Sequence, residues 1–139
     1  MTVFASAEAL CGANGRDLGW SDPVVVTAAD VEAFARATGG SDAHADMVPP
    51  MLLLAVTNRL LPSLLRVDSS AGINYGTGAV RFLAPGRVGD SLRMHAALAT
   101  AEPVAGGVQA VVQLTLEVTG SDGASTIACT VEAISRYVD

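Results

Sequence analysis

The second half of the chain alternates apolar and polar residues with a period of two. Val108, Ala110, Val112, Leu114, Leu116 and Val118 are interleaved with Gln109, Gln113, Thr115, Glu117 and Thr119. Leu92, Met94, Ala96 and Leu98 precede them in the same rhythm, and Ile127, Cys129, Val131 and Ala133 follow. Successive side chains of a strand point to opposite faces, so the pattern predicts three strands with one buried face each. Gly106-Gly107 and Asp122-Gly123 supply hairpin turns between them. Runs of roughly ten residues exceed the usual five or six and predict a large, curved sheet. Gly72–Tyr75 and Ala79–Leu83 read as two more short strands, set off by Gly76 and Gly78.

The first half is mixed. Phe4 to Ala13 reads as a short helix ended by Gly12 and Gly15, and Trp20 to Val26 as a strand. Thr27 then caps a second helix, with Asp30 placed to complete a capping box. Val31, Phe34, Ala35 and Thr38 fall on one face of it, Glu32 and Arg36 can pair on another, and Gly39 ends it. Met51–Leu65 is apolar on nearly every side, which predicts a helix enclosed all round. Pro49 or Pro50 suits its first turn, and Pro62 ends or kinks it. An enclosed helix and a long curved antiparallel sheet make an α+β design in which the sheet wraps the helix. No repeat or linker divides the chain, so residues 1–139 are expected to form a single domain.

Composition narrows the function. The chain has 139 residues, 50% of them hydrophobic and 16% charged, which argues for a folded core. An apolar surplus in so short a chain also points to burial against a second subunit, an obligate dimer. The net charge is −6 and every basic residue is arginine. Lacking lysine, the chain has no Schiff-base or phosphate-loop chemistry. Lacking a basic, aromatic surface, it is no nucleic-acid binder. Cys11 and Cys129 are too few and too isolated for a disulfide framework or a zinc cluster, and read as reduced thiols. No signal-peptide pattern is visible at Met1–Leu10. The longest apolar run, Met51–Leu65, is too short and too polar at its centre to span a bilayer. A soluble cytoplasmic protein with no membrane association is expected.

Acid–base chemistry points to the segment between the two helices, Thr38-Gly39-Gly40-Ser41-Asp42-Ala43-His44-Ala45-Asp46-Met47. His44 is one of two histidines and lies between Asp42 and Asp46 in a glycine-rich loop. It is the candidate proton-transfer group, against the plainer reading of a solvated loop histidine. Asp42 and Asp46 are candidate assisting carboxylates, against turn or cap chemistry. Met47, Met51 and Leu52 are candidate walls of an acyl pocket, against simple core packing. Asn74 and Tyr75 are candidate substrate contacts, against strand pairing or an interface. Arg81, Arg87 and Arg93 read either as a phosphate-binding entrance or as scattered solvated charges. Asp90 and His95 share a strand candidate, where residues five apart point to opposite faces, and are set aside as a site.

Several runs together resemble a known family: Phe34-Ala-Arg-Ala-Thr38-Gly39, Asn74-Tyr75-Gly76, Val80-Arg81-Phe82 with Ala84-Pro85, Val88-Gly89, and the closing Arg136-Tyr137. They resemble the MaoC-like hydratase/dehydratases, in particular the nodulation-protein-N-like branch, from about Phe4 to Tyr137. The resemblance implies a hot-dog fold, in which a long central helix is wrapped by an antiparallel sheet. It implies a homodimer whose sheets join, with active sites near the interface. It implies a hydro-lyase acting at the 2,3-position of an acyl or polyketide-type thioester, carried on coenzyme A or acyl carrier protein, with no metal or other cofactor. His44 and Asp46 match the family's His-x-Asp. The aspartate expected before them is replaced by Gly40, and the loop is about ten residues short. Pro49-Pro50 stands where a His-Gly pair opens the family's helix, so the N–H groups of Met51 and Leu52 become the candidate oxyanion donors. The missing groups give a second expectation: a repurposed hot-dog catalyst, such as a cyclase or isomerase, or a non-catalytic subunit.

Overall fold

The computed structural model describes residues 1–40 and 46–139. In chain order the elements are β1 (Thr2–Phe4), a 3-10 turn (Glu8–Gly12), β2 (Asp17–Trp20), β3 (Val24–Val25), α1 (Ala28–Thr38), β4 (Met47–Val48) and α2 (Pro50–Leu60). A second 3-10 turn (Leu61–Ser63) leads to β5 (Leu65–Val67), β6 (Ala71–Phe82), β7 (Gly86–Arg87), β8 (Ser91–Val104), β9 (Gly107–Thr119) and β10 (Ser125–Val138).

The three alternating runs form β8, β9 and β10, paired antiparallel as consecutive hairpins. The hairpin turns place Gly106 and Gly123 at positive φ, the conformation that favours glycine. The main sheet runs in the order β2-β8-β9-β10-β6, with β3 continuing along β8. The apolar set on β9, Val108 to Val118, is buried throughout, and so are Leu92, Met94, Ala96 and Leu98 on β8. These residues join Leu53, Val56 and Leu60 of α2 in one core cluster. Removal of each large apolar side chain from water contributes roughly 1.5–3 kcal/mol.

Four elements differ from the sequence expectations. First, the Phe4–Ala13 segment holds only a short 3-10 helix, Glu8–Gly12, in place of a helix running from Phe4. Its start is drawn into β1, which pairs in parallel with β5, and only a 3-10 turn follows. Second, the Trp20–Val26 strand is broken between β2 and β3. Ser21 turns inward there and exchanges two hydrogen bonds with the backbone of Met94, and Pro23 has no N–H for the ladder. Third, β6 is one continuous strand. Gly78 does not interrupt it: a Cβ there would collide with the Glu132 carboxylate, which reaches across a bulge in β10.

Fourth, α2 ends at Leu60 and is not enclosed within a single chain. Leu53, Val56, Thr57 and Leu60 are buried, while Met51, Ala55, Asn58 and Arg59 are exposed. The all-round apolar character reflects two environments, the sheet on one side and an uncovered surface on the other. Among the described residues, no helix is long and apolar enough to cross a membrane.

Candidate functional site

The site is built where α1, the start of α2 and the β6–β7 corner meet. Helix α1 forms as expected. The Thr27 hydroxyl accepts from the Asp30 N–H, and the Asp30 carboxylate accepts from the Thr27 N–H at 2.9 Å. These two bonds hold the Asp30 carboxyl below the ordinary carboxylate range. Glu32 and Arg36 pair at 3.4 Å, and Gly39 closes the helix in the left-handed conformation. No residue of α1 is buried. Its apolar face, Val31, Phe34 and Ala35, lines a cavity of about 990 Å³, and Val31 also packs against the core. The opposite wall is the corner Phe82-Leu83-Ala84-Pro85, and the floor is Met47 to Pro50 with Leu53. The volume lies at the upper end of the range for ligand pockets.

The described residues on either side of the 41–45 segment border this cavity: Gly40 precedes it, and Met47 follows it after Asp46. Asp42 and His44 themselves lie outside the described residues. The Asp46 carboxylate accepts from Arg87 Nη1 at 2.9 Å, and the Asp46 carbonyl accepts from the Val88 N–H. Asp46 therefore ties the segment to the β7 strand. Both partners of this ion pair are well exposed, and such pairs contribute at most about 1 kcal/mol.

At the start of α2, Pro50 has no N–H, and the N–H groups of Leu52 and Leu53 both donate to the Pro49 carbonyl. This removes Leu52 from the candidate oxyanion donors. It leaves the Met51 N–H with no protein acceptor among the described residues. The helix dipole adds partial positive charge at the same point.

The other candidates lie elsewhere. Met47 lines the cavity. The Met51 side chain is 59% exposed on the uncovered side of α2, and Leu52 packs partly against the core. Asn74 and Tyr75 lie on exposed β6, away from the cavity lining. The Asn74 amide donates to Asn58 Oδ1, and the Arg136 guanidinium stacks 3.7 Å from the Tyr75 ring centre. The three arginines do not gather: Arg87 holds Asp46, Arg93 holds Glu117 at 2.7 Å, and Arg81 is exposed on β6. His95 pairs with Asp17 at 2.8 Å beside Trp20, as a half-buried strand histidine. Cys129 is fully buried, which pushes its thiol up and away from nucleophilic use. Among the described residues no group of acidic, histidine or cysteine side chains is arranged to hold a metal.

Sequence reasoning misses the walls. Val31, Phe34 and Ala35 have the signal of a core-facing stripe, and only the tertiary arrangement shows that they face a void. The Phe82–Pro85 corner carries a family resemblance in sequence but no sign that it lines a cavity.

No protein-family model matches the chain. A curated relative does: the 3-hydroxyacyl-thioester dehydratase Z of Mycobacterium tuberculosis is 36% identical over 153 aligned positions, covering 99% of each chain. This chain belongs to the MaoC-like hydratase/dehydratase family. The hydro-lyase class comes with that membership. The alignment is longer than the chain's own 139 residues, so the relative carries residues that this MaoC-like chain lacks. Solved structures confirm the hot-dog fold. The monoamine oxidase regulatory protein from Archaeoglobus fulgius superposes with a TM-score of 0.74 at 21% identity, covering 99% of this chain and 97% of that one. The (R)-hydratase from A. caviae involved in PHA biosynthesis superposes with a TM-score of 0.67 at 21% identity, covering 89% and 96%.

Proposed function

We propose that this chain interconverts a trans-2-enoyl thioester and the 3-hydroxyacyl thioester, with His44 as the acid–base group and Asp42 assisting. The observation that carries this reading is the cavity, bordered by the residues that flank the His44 segment and by the start of α2. Asp46 is two residues from His44, and covalent geometry limits that separation to about 7 Å between Cα atoms. In the hydration direction, His44 takes a proton from water as the hydroxyl adds to C3. The negative charge that develops on the thioester oxygen is met by the Met51 N–H. A proton is then delivered to C2, so that the sum is one water added. Dehydration runs the same steps in reverse. Asp46, held by Arg87, braces the loop and does not act as the base.

A second copy of the chain completes the assembly in this reading. Strand β6 is an edge strand of twelve residues, and it exposes Ile73, Tyr75 and Phe82. An edge of that length and character calls for a partner. The uncovered face of α2 supports the same homodimer.

The test is hydration of crotonyl- and octenoyl-coenzyme A, followed by loss of the enoyl absorbance, together with the acyl-carrier-protein thioesters. His44→Ala is expected to lower kcat/KM by about 10²–10⁴ with the folded structure kept. A wild-type protein equally inactive with His44→Ala on every chain length and carrier would refute the proposal in favour of a repurposed or non-catalytic hot-dog protein.

A further inference from the structure

We infer that Arg87 is a positioning residue for the reaction: through Asp46 it fixes the point at which the chain returns from His44 to the sheet. The inference rests on the reading of His44 as the acid–base group. Arg87 opens the turn Arg87-Val88-Gly89-Asp90 between β7 and β8. The Val88 N–H donates to the Asp46 carbonyl at 2.9 Å, and Arg87 Nη1 donates to the Asp46 carboxylate at 2.9 Å. The Gly89 N–H donates to the Val26 carbonyl at 3.1 Å, one residue before the Thr27 cap of α1. Gly89 takes a φ of 90° to do so, which favours glycine. Asp90 closes the turn: its carboxylate accepts from the Arg87 N–H at 3.0 Å, and its own N–H donates to the Arg87 carbonyl at 3.1 Å. Four residues thus fasten both Asp46 and the start of α1, and β7 reaches them from the Phe82–Pro85 corner, the opposite wall of the cavity.

The two ends of the 41–45 segment are held unequally. At Gly40 the N–H donates to the Ala35 carbonyl of the helix it has just left, and α1 itself has no buried residue. At Asp46 the chain is bound to the sheet side of the cavity. The β4–β7 ladder there has only two residue pairs, Met47 with Arg87 and Val48 with Gly86. A ladder that short is marginal by itself. The Arg87–Asp46 pair extends it toward His44. Both side chains are well exposed, so the pair is worth a few-fold in population and no more. Proton transfer needs hydrogen-bond reach, so a shift of the returning chain is felt in the chemical step. Arg87 is not among the described residues that line the cavity, so its loss is expected in the rate and not in KM.

The test measures the single-turnover rate constant for crotonyl- or octenoyl-coenzyme A, whichever the wild type hydrates faster, together with KM. Arg87→Gln is expected to lower the rate about two- to fivefold and to leave KM unchanged. Asp46→Asn is expected to do the same, and the double variant to fall no further than either one, because a single interaction is lost once. Arg87→Lys keeps the charge without the planar fork and is expected to lie between wild type and Arg87→Gln. It carries the test if thermal melting shows that Arg87→Gln does not fold. Arg66→Gln removes a similarly exposed pair with Asp68 and is expected to keep the wild-type rate. A wild-type rate in Arg87→Gln, a loss carried wholly by KM, or a double variant reduced by the product of the two single losses would overturn the inference and leave the hydro-lyase reading intact. A wild type that hydrates neither ester would bring down that reading, and the inference with it.

Discussion

Leu53 separates the core from the cavity, and truncating it tests that placement. Its side chain is 1% exposed and belongs to the core cluster, yet it also forms part of the cavity floor. Leu53→Ala removes three carbons from that position. In a closed core the transfer loss and the void left behind together cost about 2–5 kcal/mol, and the larger values go with the larger residual cavities. Here the new space opens into an existing cavity, so solvent fills it and the void contributes little. The expected loss is about 2–3 kcal/mol, near the lower limit. Leu98 is the control: it is fully buried on β8 and is not among the described residues that line this cavity, and Leu98→Ala is expected to cost about 3–5 kcal/mol. For a chain of this length 1 kcal/mol is worth roughly 3–4 °C, so the centres of the two ranges, about 1.5 kcal/mol apart, correspond to melting temperatures about 5 °C apart. Urea unfolding at one fixed protein concentration measures both, because a dimer's stability varies with concentration. A loss for Leu53→Ala equal to or greater than that for Leu98→Ala would refute an open space beneath α2.

Two further expectations concern the frame around the site. The Asp30 carboxyl is held below its ordinary value of 3.8 by the Thr27 N–H and then by the Thr27 hydroxyl. A folded-state value below the unfolded one means that the cap stabilises fully above about pH 4 and that its contribution fades as the pH falls through the lower value. The stability difference between wild type and Asp30→Asn is therefore expected to shrink between about pH 5 and pH 2, and a difference independent of pH would contradict the cap. Gly107 begins β9, and a Cβ there would run into the carbonyl oxygen of Tyr137, a backbone atom that cannot move aside without opening the β9–β10 pair. Gly107→Ala is expected to cost about 3 kcal/mol or more, or to give no soluble protein, whereas Gly12→Ala, with nothing within 4 Å, is expected to stay within about 1 kcal/mol by thermal melt.

The sequence alone determined the elements whose signal is local. The period-two runs gave β8, β9 and β10, because a strand with one buried face must alternate. Thr27, Asp30 and Gly39 gave both ends of α1, because capping is settled within four residues. The resemblance carried by Asn74-Tyr75-Gly76 and Val80-Arg81-Phe82 gave the family and the hot-dog fold. Tertiary structure decided what depends on partners distant in sequence. The pairing of β1 with β5 drew Phe4 into a strand and left only a short 3-10 helix, Glu8–Gly12, of the helix expected from Phe4, because a strand partner satisfies backbone groups that a short helix leaves open. Glu132, lying 54 positions after Gly78, explains why a glycine stands there inside the strand, since a Cβ would meet its carboxylate. The apolar stripe of α1 looks identical in sequence whether it covers a core or a cavity. Hydrophobicity records only that a face avoids water, and the fold alone shows whether protein or substrate is placed to cover it.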